Sequence, residues 1–233
     1  MNIMAFDSSA KVASVAVCSE TEILAEFSTN TGLTHSQTLL PMAEQVLACA
    51  NISMEQIDAF AVASGPGSFT GLRIGISAVK GMAQVLDKPC IGVSTLEGLI
   101  QNLQGFDGIG CAVMDARCNQ VYNCLYSLGE QPKRLCDDRA LTIAELTEEL
   151  KTYHQKIILV GDGADLCYNK MDGQLEQLVL APIALRKQRA SSIGLCAHVL
   201  YQQGKAVPAQ ALMPSYLRLS QAERMRQAAQ QNQ

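Results

Sequence analysis

A chain of 233 residues with 48% hydrophobic side chains can bury a substantial core and suits one large domain or two small ones. A formal net charge of -4 and a pI near 5.4 argue against nucleic-acid binding by this chain alone, because that affinity depends on cations that neutralise phosphates. Nine scattered cysteines with no CxxC pair argue against a disulfide framework or a zinc site, and the longest apolar runs fall far short of a membrane span, so the expectation is a cytoplasmic protein with reduced thiols.

Residues 2–6 read as a short apolar strand, not a signal peptide, ending at Asp7, Ser8 and Ser9. A carboxylate and two hydroxyls at a strand tip can hold a metal-bound phosphate or simply close an Asx turn. Residues 12–18 and 22–28 continue as strands, completing a three-stranded meander. Residues 34–50, THSQTLLPMAEQVLACA, then predict a helix capped by Thr34 or Ser36. Leu39, Ala43, Val46 and Ala50 make one stripe of it, widened by Leu40 and Leu47.

Residues 57–86, IDAFAVASGPGSFTGLRIGISAVKGMAQVL, organise the rest. They predict a buried strand, a tight turn around Gly65, Pro66, Gly67 and Gly71, and a helix capped by Ser68 or Thr70. The glycines follow GxGxxxG, which meets neither the Walker nor the dinucleotide spacing. They can expose a helix N-terminus to an anion or only let strand and helix pack closely. Leu72, Ile76, Val79, Ala83 and Leu86 form one helix stripe, and Gly71, Gly75, Ala78, Met82 and Val85 a second, mostly small one. An apolar arc that wide exceeds what one sheet face needs. The small stripe is expected to receive helix 34–50, and the two helices can together offer an apolar surface to another chain.

A brief strand at 90–93 and a helix at 94–104, with Ser94 as cap and Glu97 placed for a capping box, close the first unit. Strand 108–116 then repeats the opening event by ending at an aspartate, Asp115. Strand 120–127, a helix at 142–153, a strand at 156–160, a GDGAD turn and a helix at 191–203 follow. The order β-β-β-α-β-α appears twice, which predicts a duplicated α/β fold of two mixed-sheet lobes with flanking helices. The expected partition is 1–104, 105–220 and a polar tail at 221–233. His35, His154 and His198 are too dispersed for a helical metal site, and no GxSxG elbow is present. Cys118, next to Arg117 in a turn, has no neighbouring base and reads as an inert thiol. Asp7 and Asp115 can face one another across the two units, as paired carboxylates do in metal-phosphate sites.

The strand NIMAFDSS, the helix start THSQTLLP, the segment ASGPGSFTGLRIGISAVKGMA and the later MDARCNQVY together resemble the TsaB (YeaZ) family. The GPGSFTGLR block at 65–73 carries most of the specificity. The resemblance implies the actin/Hsp70/sugar-kinase-like (ASKHA) fold and a role in making N6-threonylcarbamoyladenosine on tRNA. It implies a non-catalytic subunit with no metal and no cofactor of its own, which binds a TsaD-type catalytic homologue through its N-terminal helices. It further implies work alongside a TsaE-type ATPase, a homodimer when alone, contact with tRNA only through the complex, and no membrane. The expected partner interface is His35, Leu39, Leu40, Ala43, Val46, Leu47, Gly71, Leu72, Gly75, Ile76, Ala78, Val79 and Met82. Asp7, Ser8, Gly65, Gly67, Asp115 and Arg117 are candidates for a vestigial or shared phosphate site, with ATP or ADP at an interface completed by a partner. The chain departs from the family at Asn119 and Gln120, which replace a usual Gly-Glu pair. The rival reading is an independent ATP-dependent or peptidase-like enzyme using Asp7 and Asp115.

Overall fold

The apolar runs at the start of the chain have no polar alternation, the pattern of strands covered on both faces. In the computed structural model, which describes residues 1–218, β1 (Ile3–Asp7) and β2 (Ala13–Cys18) are buried throughout. β3 (Ile23–Thr29) lies at the sheet edge and is half-buried to exposed. α1 (His35–Ala50) ends on Asn51 at φ 54°, a left-handed position that asparagine tolerates. β4 (Ala59–Gly65), α2 (Phe69–Leu86), β5 (Cys90–Ser94) and α3 (Thr95–Gln101) complete the first unit. The sheet order is β3-β2-β1-β4-β5, with β1 antiparallel to β2 and parallel to β4.

The second unit repeats this plan with β6 (Ile109–Asp115), β7 (Gln120–Ser127), the short β8 (Lys133–Arg134) and β9 (Arg139–Thr142), α4 (Ile143–Leu150), β10 (Ile157–Val160), α5 (Ala164–Met171), β11 (Leu178–Leu180) and α6 (Ala190–Gln202). Its order is β11-β10-β6-β7-β8, with β9 also paired to β7. Thus β6 takes the place of β1 and β10 that of β4. Sequence reasoning did not find β8, β9, β11 or α5. Helix α5 follows the GDGAD turn as α2 follows the glycine loop, but its eight residues carry too few apolar positions for a clear stripe. Helix α6 is therefore the counterpart of α3.

Each sheet is covered on both faces. On the first, α1 and α2 pack against Met4, Phe6, Val15 and Val62. Its other face, Ile3, Ala5, Ala16 and Ala61, receives Ile193 and Ala197 of α6. On the second sheet α4 and α5 cover one face, and Leu96, Leu99 and Ile100 of α3 pack on the other. α3 and α6 meet between the sheets, where a Cβ on Gly98 would lie 2.5 Å from Ile193 Cδ1. The chain after 190 returns to the first unit: Cys90 and Val207 form an antiparallel bridge, and Ala209 and Leu212 join the core beneath α2. The expected tail at 221–233 lies outside the described residues.

Candidate functional site

The expected partner residues divide by burial. Leu39, Ala43, Val46 and Leu47 of α1 and Leu72, Ile76 and Val79 of α2 are consumed by the chain's own core. His35 and Ala78 remain half-buried, Met82 likewise, and Leu40 is 49% exposed. Between α1 and α2 runs a largely apolar groove of about 720 Å³, lined by His35, Leu39, Leu40, Phe69, Arg73, Ile74 and Ala78, with Ser36, Thr70 and Ser77 at its rim. The heptad-like stripes predicted the groove's walls but not Phe69, Arg73 or Ile74. Those three sit inside the FTGLRI segment, where only the spacing from Leu40 and Ala78 on the folded helices reveals them.

The small stripe serves a different neighbour from the one expected. A Cβ on Gly71 would meet the Ser8 carbonyl oxygen at 2.1 Å, and one on Gly75 would meet Ser8 Oγ at 2.4 Å. Ser8 Oγ donates to the Gly71 carbonyl at 2.8 Å in this recess. Gly71 and Gly75 therefore admit the β1–β2 turn most closely, because only an absent side chain lets that backbone approach, while His35 of α1 lies next, 3.3 Å from a Cβ on Gly71. His35 ties the same turn to α1: its Nε2 donates to the Ala10 carbonyl at 2.7 Å, leaving a buried Nδ1 without a partner.

A polar cleft of about 520 Å³ opens between the two lobes, lined by Ser9, Lys11, Gly67, Ser68, Asp115, Arg117, Tyr122, Asp162 and residues 215–218 among others. Of the six residues expected at a phosphate site, Gly67, Asp115 and Arg117 line this cleft, whereas Asp7, Ser8 and Gly65 lie behind it. Asp7 is 1% exposed and accepts from Ser9 N at 2.9 Å and Ser9 Oγ at 2.6 Å, an Asx turn. Burial pushes its carboxyl up to about 6; the two Ser9 donors pull it down, and Asp162 adds a smaller rise. Burial also raises Asp162, which accepts from Gln188 Nε2 at 3.1 Å. Asp115 accepts from the Arg117 backbone at 2.8 Å and from Arg117 Nη1 at 3.2 Å. Asp7 and Asp115 are thus each committed to their own turn.

The glycine loop is closed by the chain itself. Ser68 N donates to the Ser9 carbonyl at 2.6 Å, and Ser68 Oγ caps α2 by accepting from Gly71 N at 3.3 Å. Gly65, at φ 130°, leaves room for Ser215, whose N–H donates to the Ser64 carbonyl at 2.7 Å. Tyr216 stacks on Phe69 at 4.6 Å, Arg73 lies over Phe69 at 3.9 Å and its Nε donates to Tyr216 Oη at 3.0 Å. Arg218 reaches the other lobe and donates to the Ala116 carbonyl at 2.9 Å. The close packing that the glycines allow accounts for their spacing. The turn at Arg117, Cys118 and Asn119 holds three successive residues at positive φ, a left-handed conformation that asparagine tolerates best of the three. Among the described residues no group of three His, Cys, Asp or Glu side chains is placed to hold a metal ion.

Comparison with known proteins agrees with this architecture. The family model described as "TsaD: tRNA N6-adenosine threonylcarbamoyltransferase" matches residues 22–225. The chain is 30% identical over 225 residues, 96% of each chain, to the tRNA threonylcarbamoyladenosine biosynthesis protein TsaB of Bacillus subtilis (strain 168). A crystal structure of a protein with similarity to peptidase YEAZ, from Pseudomonas aeruginosa, superposes with a TM-score of 0.80 at 27% identity, covering 93% of this chain and 99% of that one. An activator of 2-hydroxyisocaproyl-CoA dehydratase from Clostridium difficile shares the fold alone, with a TM-score of 0.52 at 9% identity over 88% and 97% of the two chains. The duplicated mixed sheets are those of the actin/Hsp70/sugar-kinase-like (ASKHA) fold. No helix among the described residues is long and apolar enough to cross a membrane. With the GPGSFTGLR loop, the paired lobes and a full-length relative in agreement, the chain belongs to the TsaB (YeaZ) family of tRNA threonylcarbamoyladenosine biosynthesis proteins.

Proposed function

We propose that this chain is the non-catalytic, activating subunit of a tRNA threonylcarbamoyl transferase, and that it binds a TsaD-type homologue through the α1–α2 groove. The observation that carries this reading is the apolar groove itself, with Leu40, Ile74 and Ala78 in its wall and Tyr216 stacked on Phe69 at one end. An apolar groove between two helices is the shape that receives a partner's amphipathic helix. The self-similarity of TsaB and TsaD folds, seen in the match to the TsaD family model, supports a pseudo-symmetric pairing of like helices. The same face accounts for a homodimer when the chain is alone, since both partners would compete for it.

The commitment of Asp7 to Ser9 and its enclosure behind the cleft disfavour the rival enzyme that would use Asp7 and Asp115. The interlobe cleft, with Lys11, Arg117 and Arg218 beside Asp115 and Asp162, suits ATP or ADP held jointly with a partner, and a TsaE-type ATPase is the further member of the assembly. An acidic chain meets tRNA through the complex rather than by itself.

The test is an omission assay with tRNA, threonine, bicarbonate, ATP and the TsaC-, TsaD- and TsaE-type proteins, scoring modified adenosine with and without this chain. Product is expected only with it, and no turnover from the chain alone. Leu40→Asp and Ala78→Asp, which place a carboxylate in the groove without touching the core, are expected to weaken TsaD-type binding by at least tenfold, about 1.4 kcal/mol. Binding unchanged in both variants would remove the groove from the reading. Product formed equally well without the chain would remove the reading itself.

A further inference from the structure

Two cysteines that the transferase reading leaves unused stand opposite one another on the second sheet. β7 and β8 pair with Tyr126 against Arg134 and Ser127 against Lys133. Continued along the strands, that register sets Leu125 against Leu135 and Cys124 against Cys136. The Leu135 N–H donates to the Leu125 carbonyl at 2.8 Å, so the cysteines occupy the next, non-hydrogen-bonded position. In an undistorted ladder, opposed Cα atoms at such a position lie about 4.5 Å apart, inside the range of about 4.4–6.8 Å that a disulfide spans.

Each sulfur already reaches the facing strand. The Cys124 thiol donates to the Cys136 carbonyl at 2.9 Å, and Cys136 Sγ accepts the Leu125 N–H at 3.3 Å, standing where a ladder carbonyl would be. Beyond Cys136 the pairing passes to β9, which sets Asn123 against Arg139, two residues later than the β8 register would. Cys136 thus opens a bulge, where the backbone is free of the ladder and can adjust the sulfur. It is half-buried and within reach of solvent, whereas Cys124 is buried with Arg134 Nη1 at 3.3 Å.

We propose that Cys124 and Cys136 form a reversible thiol–disulfide pair whose oxidant is hydrogen peroxide or a small-molecule disulfide such as oxidised glutathione. With peroxide, the Cys136 thiolate attacks one oxygen and releases hydroxide, becoming a sulfenic acid. Cys124 sulfur then attacks Cys136 sulfur, the S–O bond breaks, and two thiols plus one peroxide become one disulfide plus two waters. With oxidised glutathione, Cys136 forms the mixed disulfide and releases one reduced glutathione, and Cys124 displaces the second. The pair lies on the polar tie between the lobes: Arg134 also reaches Asp138 at 2.7 Å and Glu97 at 3.5 Å, and Asp138 accepts from Ser94 Oγ at 2.5 Å. Oxidation would therefore pin β7 to the bulge that carries this tie.

The experiment uses the full chain in a Cys118→Ser background, because Cys118 and Cys124 share one tryptic peptide. Folded protein is treated in separate arms with hydrogen peroxide and oxidised glutathione, alkylated and digested without reductant. The expected result is a linked species joining residues 118–133 to 135–139 in at least one arm. It should be lost on thiol reduction and lost completely in Cys136→Ser and in Cys124→Ser. Linkage in one arm only identifies the oxidant. Oxidation of the exposed Cys49 while Cys124 and Cys136 remain free thiols overturns the proposal. Linkage of Cys136 to any other cysteine, or its passage to sulfinic acid with Cys124 unmodified, overturns it equally.

Discussion

Replacing Gly71 by alanine tests whether the small helix stripe exists to admit the β1–β2 turn. The new Cβ would lie 2.1 Å from the Ser8 carbonyl oxygen, against an ordinary contact of 3.4 Å or more, so turn and helix must separate by over 1 Å. Overpacking of this kind costs about 1–3 kcal/mol. Losing the buried Ser8 Oγ to Gly71 carbonyl bond adds about 1 kcal/mol, while the gain in helix propensity returns about 1 kcal/mol. The net expectation is a loss of about 1–3 kcal/mol. Gly81, on the same helix, would place its Cβ in open space, so Gly81→Ala should stabilise by about 0.5–1 kcal/mol. Urea unfolding followed by far-ultraviolet circular dichroism measures both, since the chain has no tryptophan. Equal, same-sign effects at the two positions would refute the packing argument and return Gly71 to the helix seam.

Asp7→Asn should raise stability at neutral pH. Burial pushes the wild-type carboxyl up to about 6 in the fold from its ordinary 3.8, so the fold is favoured by its protonated form. That advantage is complete below about pH 4 and is lost as pH rises through about 6, a swing of about 3 kcal/mol. Urea midpoints at pH 4.5 and 7.5 should differ less in the variant, and an unchanged difference would show that Asp7 is not the group responsible. Glu26→Ala should cost about 2–3 kcal/mol, because this carboxylate of β3 accepts from Arg189 and from Ser191 N at 2.9 Å and Oγ at 2.8 Å, holding α6 to the first sheet. A thermal scan in which the variant melts with the wild type would place the tie elsewhere. Thr142→Ala removes the capping box that Thr142 and Glu145 form at α4 and should cost about 1 kcal/mol by the same unfolding assay. Gly75→Leu, an obvious groove mutation on sequence grounds, should instead unfold the chain, since Gly75 faces Ser8 and Val62 rather than a partner.

The duplication was legible because strands buried on both faces leave continuous apolar runs, and each lobe opens with such a run ending in an aspartate, at Asp7 and Asp115. The helices α1 and α2 were legible from their stripes, and Ser68 and Ser94 from their places just before the helices they cap. Glu97 was placed for a capping box, yet its carboxylate lies against Arg134, 37 positions along the chain, an interaction no local window contains. The two-residue β8 and three-residue β11 are too short to carry a period, and their register comes from the neighbours β7 and β10.

Hydrophobic periodicity records that a side chain avoids water but not what covers it, so it marked Leu39, Val46, Leu72 and Val79 as apolar without separating the core from the groove. That division was made in the fold, where the first sheet takes Leu39, Val46 and Val79, Leu72 is buried beside Gly65, and Leu40, Ile74 and Ala78 are left along the groove. The same holds for Gly71 and Gly75. Their sequence shows only a missing Cβ, whereas what fills the space, the carbonyl and hydroxyl of Ser8 more than sixty positions away, is decided by how β1 lies against α2. Local chemistry in the chain therefore determined the longer elements, the caps of α2 and α3 and the repeat, but not a cap for α1, where neither Thr34 nor Ser36 makes a capping bond, while the cleft, the groove and the return of α6 to the first sheet arise from contacts between distant segments, whose energies exist only once the chain has closed on itself.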